Sequence, residues 1–193
     1  MNKRISMVAV AVALAAASTS SFAADQGAFF INGNLGQSNY HDNTFSNHTD
    51  TSTAVRAGYS WQNNAIDFGV EAGYVDLGKA SGPLTANNMT VNFSAKVKGP
   101  LAGANFKYKF SNKMYVSARG GWFRSNMDAS ISGFGSDSFH GDGSYIGAGV
   151  GYDISRHFSL GVNYDAYHAR AKVYGVKAGE SIGMISGFAE YRF

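Results

Sequence analysis

The last eleven residues of the chain, GMISGFAEYRF (183–193), decide how the rest of it is read. Ile185, Gly187, Ala189, Tyr191 and Phe193 share one parity and are apolar or small throughout. Met184, Ser186, Phe188, Glu190 and Arg192 share the other, which ends in two opposite charges. A period of two marks a β-strand with two unlike faces. Which face meets a core and which meets the surroundings depends on the number and spacing of similar segments.

Toward the N-terminus the same alternation recurs seven times. It is present in AFFINGNLGQS (28–38), TAVRAGYSW (53–61), IDFGVEAGYV (66–75), MYVSARGGWF (114–123), YIGAGVGYDI (145–154) and FSLGVNYDAY (158–167). A less regular segment spans about 93–110: Phe93, Ala95 and Val97 set one phase, and Ala104, Phe106, Tyr108 and Phe110 the opposite one. A bulge or misplaced boundary near Gly99-Pro100 would account for the slip. Short turns (QNNA, SNK, SRH) alternate with long polar stretches near 39–52, 76–92, 125–142 and 168–179, which read as loops. The expectation is an all-β chain: eight antiparallel strands of about 10 residues, the span of a tilted membrane strand. An even strand count puts both termini at the end that carries the short turns.

Composition narrows the class. The chain has 193 residues with 24 Gly, 2 Pro and no Cys, so no disulfide framework supports it. Its start, MNKRISMVAVAVALAAASTSSFAADQG, combines Lys3 and Arg4, a short apolar run and small residues up to Ala23, the order of a secretory signal peptide over 1–23. The barrel domain then covers 24–193. Without Lys3 and Arg4 the 16 basic residues become 14 against 13 acidic ones, which gives no case for nucleic acid. No segment after residue 23 has the ~20 apolar residues of a membrane helix, but a closed β-barrel satisfies its backbone in lipid equally well.

The residue types then orient the faces. The minority face carries Arg56, Asp67, Glu71, Arg119, Asp165, Glu190 and Arg192 among Gly, Ser and Asn. Small residues and pairable charges suit the filled interior of an eight-stranded barrel. The majority face is apolar and gathers aromatics beside the short turns: Tyr59, Trp61, Tyr108, Phe110, Tyr152, Tyr191 and Phe193. That is an interfacial girdle. The competing reading, a soluble lipocalin-like barrel, would expose this apolar band to water. The chain therefore reads as an up-and-down transmembrane β-barrel of the bacterial outer membrane with both termini periplasmic.

Four stretches carry a family resemblance: INGNLGQSNYHDNTF (31–45), FGVEAGYVDLG (68–78), MYVSARGGWFRS (114–125) and GMISGFAEYRF (183–193). Together they resemble the transmembrane domain of the OmpA family of outer-membrane proteins, with the small barrels of the OmpX/Ail type as near neighbours. The resemblance implies a non-enzymatic barrel with a structural role in the envelope, or an adhesive one through its surface loops. OmpA proper continues into a periplasmic peptidoglycan-binding domain, and the expectation here is a barrel that lacks it. A small low-conductance channel is the alternative, and a lipid A-modifying enzyme a lesser one. The resemblance also implies a lumen charge network (Arg56, Glu71, Arg119, Asp165, Glu190, Arg192). Glu71 matches an acidic member of the family's interior ion pairs, while the basic position on strand seven is occupied by Gly161, so that Arg56 or Arg119 could pair with it instead. Tyr191 and Phe193 resemble the C-terminal signal read by the barrel assembly machinery. Outer-membrane lipid, lipopolysaccharide, that machinery, periplasmic chaperones and host or surface ligands of the loops are the implied partners.

Other chemistry is weak. His157 and Ser159 lack a neighbouring carboxylate in sequence, and no nucleophile–base–acid set assembles. His41, Asp42, His48 and Asp50 have no recognised metal-ligand spacing and read as a polar loop. Lys79, Lys172 and Lys177 could meet lipopolysaccharide phosphates or simply water. GAGVG (147–151) lacks the strand–turn–helix setting of a dinucleotide site and reads as room for close packing. No cofactor or metal is expected.

Overall fold

The computed structural model of the chain describes residues 27–40, 49–63, 65–86, 89–131, 135–173 and 176–193; residues 1–23, read as a signal peptide, lie outside them. Eight strands follow in order: β1 (Gly27–Tyr40), β2 (Thr49–Asn63), β3 (Ile66–Ala86), β4 (Met89–Lys109), β5 (Met114–Ile131), β6 (Gly135–Asp153), β7 (Phe158–Val173) and β8 (Val176–Arg192). Each pairs antiparallel with the next, and β8 returns to β1, so the sheet closes with no edge. The seam runs from Phe30↔Arg192 to Tyr40↔Ile182, and beyond it the Phe193 N–H donates to the Phe29 carbonyl at 2.9 Å.

The two faces separate as the alternation requires. Leu35, Ile146 and Ile185 are 63–69% exposed on the outside, whereas Arg56 and Asp165 are fully buried inside. Exposed aliphatics around buried charges are the inverse of a water-soluble barrel and fit a lipid surround. The aromatics beside the short turns form contiguous outward contacts: Phe29–Tyr59, Tyr59–Trp61, Trp61–Phe68, Tyr108–Phe110 and Tyr191–Phe193 lie within 4.9–5.2 Å between ring centroids. Tyr152 projects outward on β6 at the same end. Tyr74 and Trp122 stand outward toward the opposite end of the apolar band, where the sequence had marked no aromatics.

Two expectations need correction. The strands are 14–21 residues long, not about 10. Three of the stretches read as loops are instead the continuing arms of hairpins, paired as far as Ala86↔Met89, Ile131↔Gly135 and Val173↔Val176. Residues 41–48 of the first stretch lie outside the described residues. A bilayer takes only about 9–11 residues per tilted strand, so these arms rise well beyond it. Their sequences lack the apolar alternation by which a membrane strand is recognised.

The second correction concerns β4. Its pairing with β5 keeps one register from Phe93↔Ile131 to Lys109↔Tyr115, so the backbone does not slip at Gly99-Pro100. Val97 and Leu101 point inward exactly as Asn105 and Lys107 do. The apolar phase changes because the interior itself changes, from polar near the termini to apolar farther up. A bulge does exist, but on β3, where the register shifts between Asp76 and Lys79. Gly78 takes φ 78° there, a left-handed conformation that glycine adopts without a Cβ clash. Asp50 steadies the bulge, its carboxylate accepting the Lys79 N–H at 2.5 Å.

The interior is therefore layered. The half near the termini holds the charges. The far half holds Val75, Leu77, Val97, Leu101, Phe123, Ile182 and Met184, all at most 2% exposed, with Tyr145 and Tyr167 between this cluster and the charges their hydroxyls meet. Large inward side chains fit because glycines stand beside them. A Cβ on Gly147 would lie 1.9 Å from Asp165 Oδ1, and one on Gly151 would lie 2.4 Å from the Tyr115 ring. That is the packing role of GAGVG.

Candidate functional site

Alternation on β2, β3, β5 and β7 turns Arg56, Glu71, Arg119 and Asp165 to the lumen, and the barrel is narrow enough for them to meet. Arg56 Nε lies 3.6 Å from Glu71 Oε1 on the adjacent strand. Across the lumen its Nη2 donates to Asp165 Oδ2 at 3.2 Å and to Tyr167 Oη at 2.8 Å. Arg119 Nε donates to Asp165 Oδ1 at 2.8 Å. Glu71 also accepts from Tyr145 Oη at 2.8 Å and from Asn105 Nδ2 at 3.0 Å. Arg56 is thus the basic neighbour of Glu71, and Arg119 belongs to Asp165. The space beside Gly161 is taken by Phe188, whose ring would lie 2.5 Å from a Cβ there.

Glu190 and Arg192 lie in layers closer to the termini. Lys107 pairs with Glu190 while its Nζ lies 5.6 and 5.4 Å from the ring centroids of Phe30 and Tyr115. Asn32 Nδ2 donates to the same carboxylate at 3.3 Å. Lys109 meets Asp67 at 2.6 Å, and Arg192 meets Asp153 at 2.5 Å and Glu190 at 3.9 Å. Lys107 and Lys109 escaped sequence reasoning because the phase of β4 was ambiguous. Asp67 and Asp153 were on the inward face but without a visible partner. Between the Arg119 and Lys107 layers lies a cavity of about 20 Å³. It is lined by Asn105 and Arg119, whose Oδ1 and Nη2 have no protein partner. A single water needs ~10–15 Å³ and polar partners, so the cavity has room for one.

Among the described residues this arrangement ties strands together across the lumen. Arg56, Lys107, Lys109, Arg119 and Arg192 are matched in number by Asp67, Glu71, Asp153, Asp165 and Glu190, so the network holds no net charge. His157 and Ser159 do not meet as base and nucleophile. His157 Nδ1 lies 2.9 Å from the Arg192 carbonyl, and its ring stacks on Tyr191. Ser159 Oγ donates to Asp153 at 2.7 Å and accepts from Arg192. His41, Asp42 and His48 lie outside the described residues, and Asp50 serves the bulge. Among the described residues no group of three or more His, Asp or Glu could hold a metal. Lys79 is exposed; Lys172 and Lys177 face each other across β7 and β8, their side chains outside the described set.

Solved structures share this fold. Neisserial surface protein A is similar at TM-score 0.54 and 11% identity, over 86% of this chain and 97% of its own. The outer membrane protein OprG of Pseudomonas aeruginosa gives 0.53 and 11%, over 87% and 96%. Ail, the attachment invasion locus protein of Yersinia pestis, gives 0.49 and 15%, over 87% and 98%. No curated protein sequence matches the chain. Residues 9–193 match the profile of the family described as "Outer membrane protein beta-barrel domain", and the chain belongs to that family, as an eight-stranded barrel of the bacterial outer membrane.

Proposed function

We propose that the chain is a non-enzymatic, non-conducting barrel that works through the hairpin arms it raises above the bilayer, in envelope structure or surface interaction. The observation that carries this reading is the sealed lumen. Charge-neutral ion pairs fill one half, and the Val97–Leu101–Phe123–Met184 cluster fills the other. An eight-stranded interior is just wide enough for side chains to fill it. Bilayer recording tests it. The unmodified protein is expected to give no steady openings, whereas Phe123→Ala with Leu101→Ala, which thins the apolar seal, is expected to give discrete steps. Steady, defined openings from the unmodified protein would favour a small channel. An altered lipid A mass spectrum on overexpression would restore the enzyme reading.

The signal peptide over 1–23 and the shared end of termini and short turns support export with both termini periplasmic and the arms outside. Partners on this reading are outer-membrane lipid and lipopolysaccharide, the barrel assembly machinery with periplasmic chaperones, and host or surface ligands of the arms. Phe193 closes the seam through its bond to Phe29 and packs edge-to-face on Tyr191. Deleting it is expected to cut the amount of heat-modifiable barrel recovered from outer membranes several-fold. Normal recovery of the deletion would remove Tyr191 and Phe193 as an assembly signal.

A further inference from the structure

Within the barrel every strand is paired on both sides, but toward the arm tips the wall parts. The pairing of β6 with β7 stops at Ser144↔His168, whereas β6 continues with β5 as far as Ile131↔Gly135 and β7 with β8 as far as Val173↔Val176. Among the described residues this leaves two unpaired backbone edges beside one parting, 135–143 on β6 and 169–173 on β7. Where β2 and β3 part, side chains tie the gap: Asp50 accepts the Lys79 N–H at 2.5 Å, and Ser38 Oγ donates to the Leu77 carbonyl at 2.5 Å. An open edge is a template on which another strand can add.

The two edges complement each other. Continuing the β6–β7 register past Ser144↔His168 would set Gly143 against Ala169, Asp142 against Arg170 and Phe139 against Val173. The β6 edge carries Asp137 and Asp142 besides His140, and the β7 edge carries Arg170 and Lys172. Asp142 is exposed and has Arg124 across from it on β5. Behind the edges the charges balance, Arg124 with Asp128 on β5 and Lys177 with Glu180 on β8, while the cations of β4 lie two strands away from the β6 edge. Opposite charges directly across a ladder stabilise it. A second copy of the chain can satisfy both edges at once. Two copies inserted the same way in one membrane are related by rotation about its normal, which leaves strand directions unchanged. The β7 of one copy therefore runs antiparallel to the β6 of the other, and the two-fold axis makes the reciprocal pairing, whereas β6 against β6 would run parallel. The wall beneath allows the approach. One outward position below the parting Ala166 lies opposite Ile146, and Ala148, Ala118 and Gly120 continue an apolar groove of about 630 Å³. Small residues on lipid-facing surfaces let backbones come close.

We infer that the chain forms a two-fold dimer through this wall, the β6 edge of each copy pairing with the β7 edge of the other above a contact between their β5–β7 faces. This goes beyond the reading of the arms as an interaction surface by naming what they bind. It does not depend on the lumen: steady openings in bilayer recording would overturn the sealed barrel and leave the dimer standing. The chain has no cysteine, so disulfides report the pairing directly. Facing Cα atoms of an antiparallel pair lie ~4.5–5.5 Å apart, within the ~4.4–6.8 Å that a disulfide spans. Gly141→Cys and Ala171→Cys, placed on differently tagged copies expressed together, are expected to give a mixed disulfide dimer in oxidised outer membranes. Its yield should be several-fold above that from Leu35→Cys with Val55→Cys, outward on β1 and β2. Adding Asp142→Arg to the first copy is expected to lower the yield several-fold, and Arg170→Asp on the second to restore it. Ala148→Phe, which fills the groove, should lower it likewise. Unboiled gel mobility confirms that each variant is folded. If Gly141→Cys and Ala171→Cys on one chain oxidise within that chain instead, the edges belong to each other and the dimer is overturned. A mixed dimer no more abundant than that of the β1–β2 control, or one unmoved by charge reversal, would overturn it too.

Discussion

Replacing Arg56 with alanine is expected to destabilise the barrel by about 3–5 kcal/mol, the usual loss when one member of a buried ion pair is removed. Arg56 is fully buried and reaches both Glu71 and Asp165. Its loss leaves Glu71 with only the neutral donors Tyr145 and Asn105, while Asp165 keeps Arg119. The uncompensated charge at Glu71 is therefore the main source of the cost. Adding Glu71→Gln to Arg56→Met should recover part of it, with a coupling of about 0.5–3 kcal/mol as expected for side chains in contact. Urea titration in lipid vesicles measures both, with Trp61 and Trp122 near opposite ends of the apolar band as fluorescent reporters. A loss below about 1 kcal/mol for Arg56→Ala would mean that the lumen pairs do not brace the barrel.

Val162→Arg should cost about 2–4 kcal/mol in vesicles, the range for an arginine near the bilayer midplane on a barrel's lipid face. Val162 is 54% exposed and lies between Val150 and Gly187, midway along the outward apolar run of β7. The same substitution on a soluble barrel would add a solvated surface charge and leave stability within about 0.5 kcal/mol. The experiment thus separates the two readings that a period of two leaves open. Val162→Ile is the control for shape and should be close to neutral.

The membrane-spanning part was legible because lipid outside and polar groups inside give each strand a strong period of two. GMISGFAEYRF and FSLGVNYDAY contain that contrast almost residue by residue. It failed in two places for one reason: the contrast itself changes. On β4 the inward positions pass from Lys107 and Asn105 to Leu101 and Val97, so the apolar residues change parity although the backbone does not. In the arms, GSDSFHGD (135–142) pairs with RSNMDASI (124–131), and neither stretch alternates apolar with polar residues in the way the membrane-spanning segments do. The charged site was legible as a set of inward residues but not as a set of partners. That Arg56 meets Asp165 depends on two strands facing each other across a closed lumen, which no spacing along the chain encodes.

The seam between β1 and β8 also has a kinetic meaning. Phe29 and Phe193 are at opposite ends of the described chain, yet they share a hydrogen bond. The barrel cannot close until β8 has been delivered, and until then β1 has one row of unsatisfied backbone groups. Loop-closure entropy must be overcome before such a distant pairing returns any free energy, which makes it a late and slow event. A strand left open during that delay is a template for aggregation. The interval before closure is thus one in which β1 is exposed to such pairing, and its length is set by the arrival of β8.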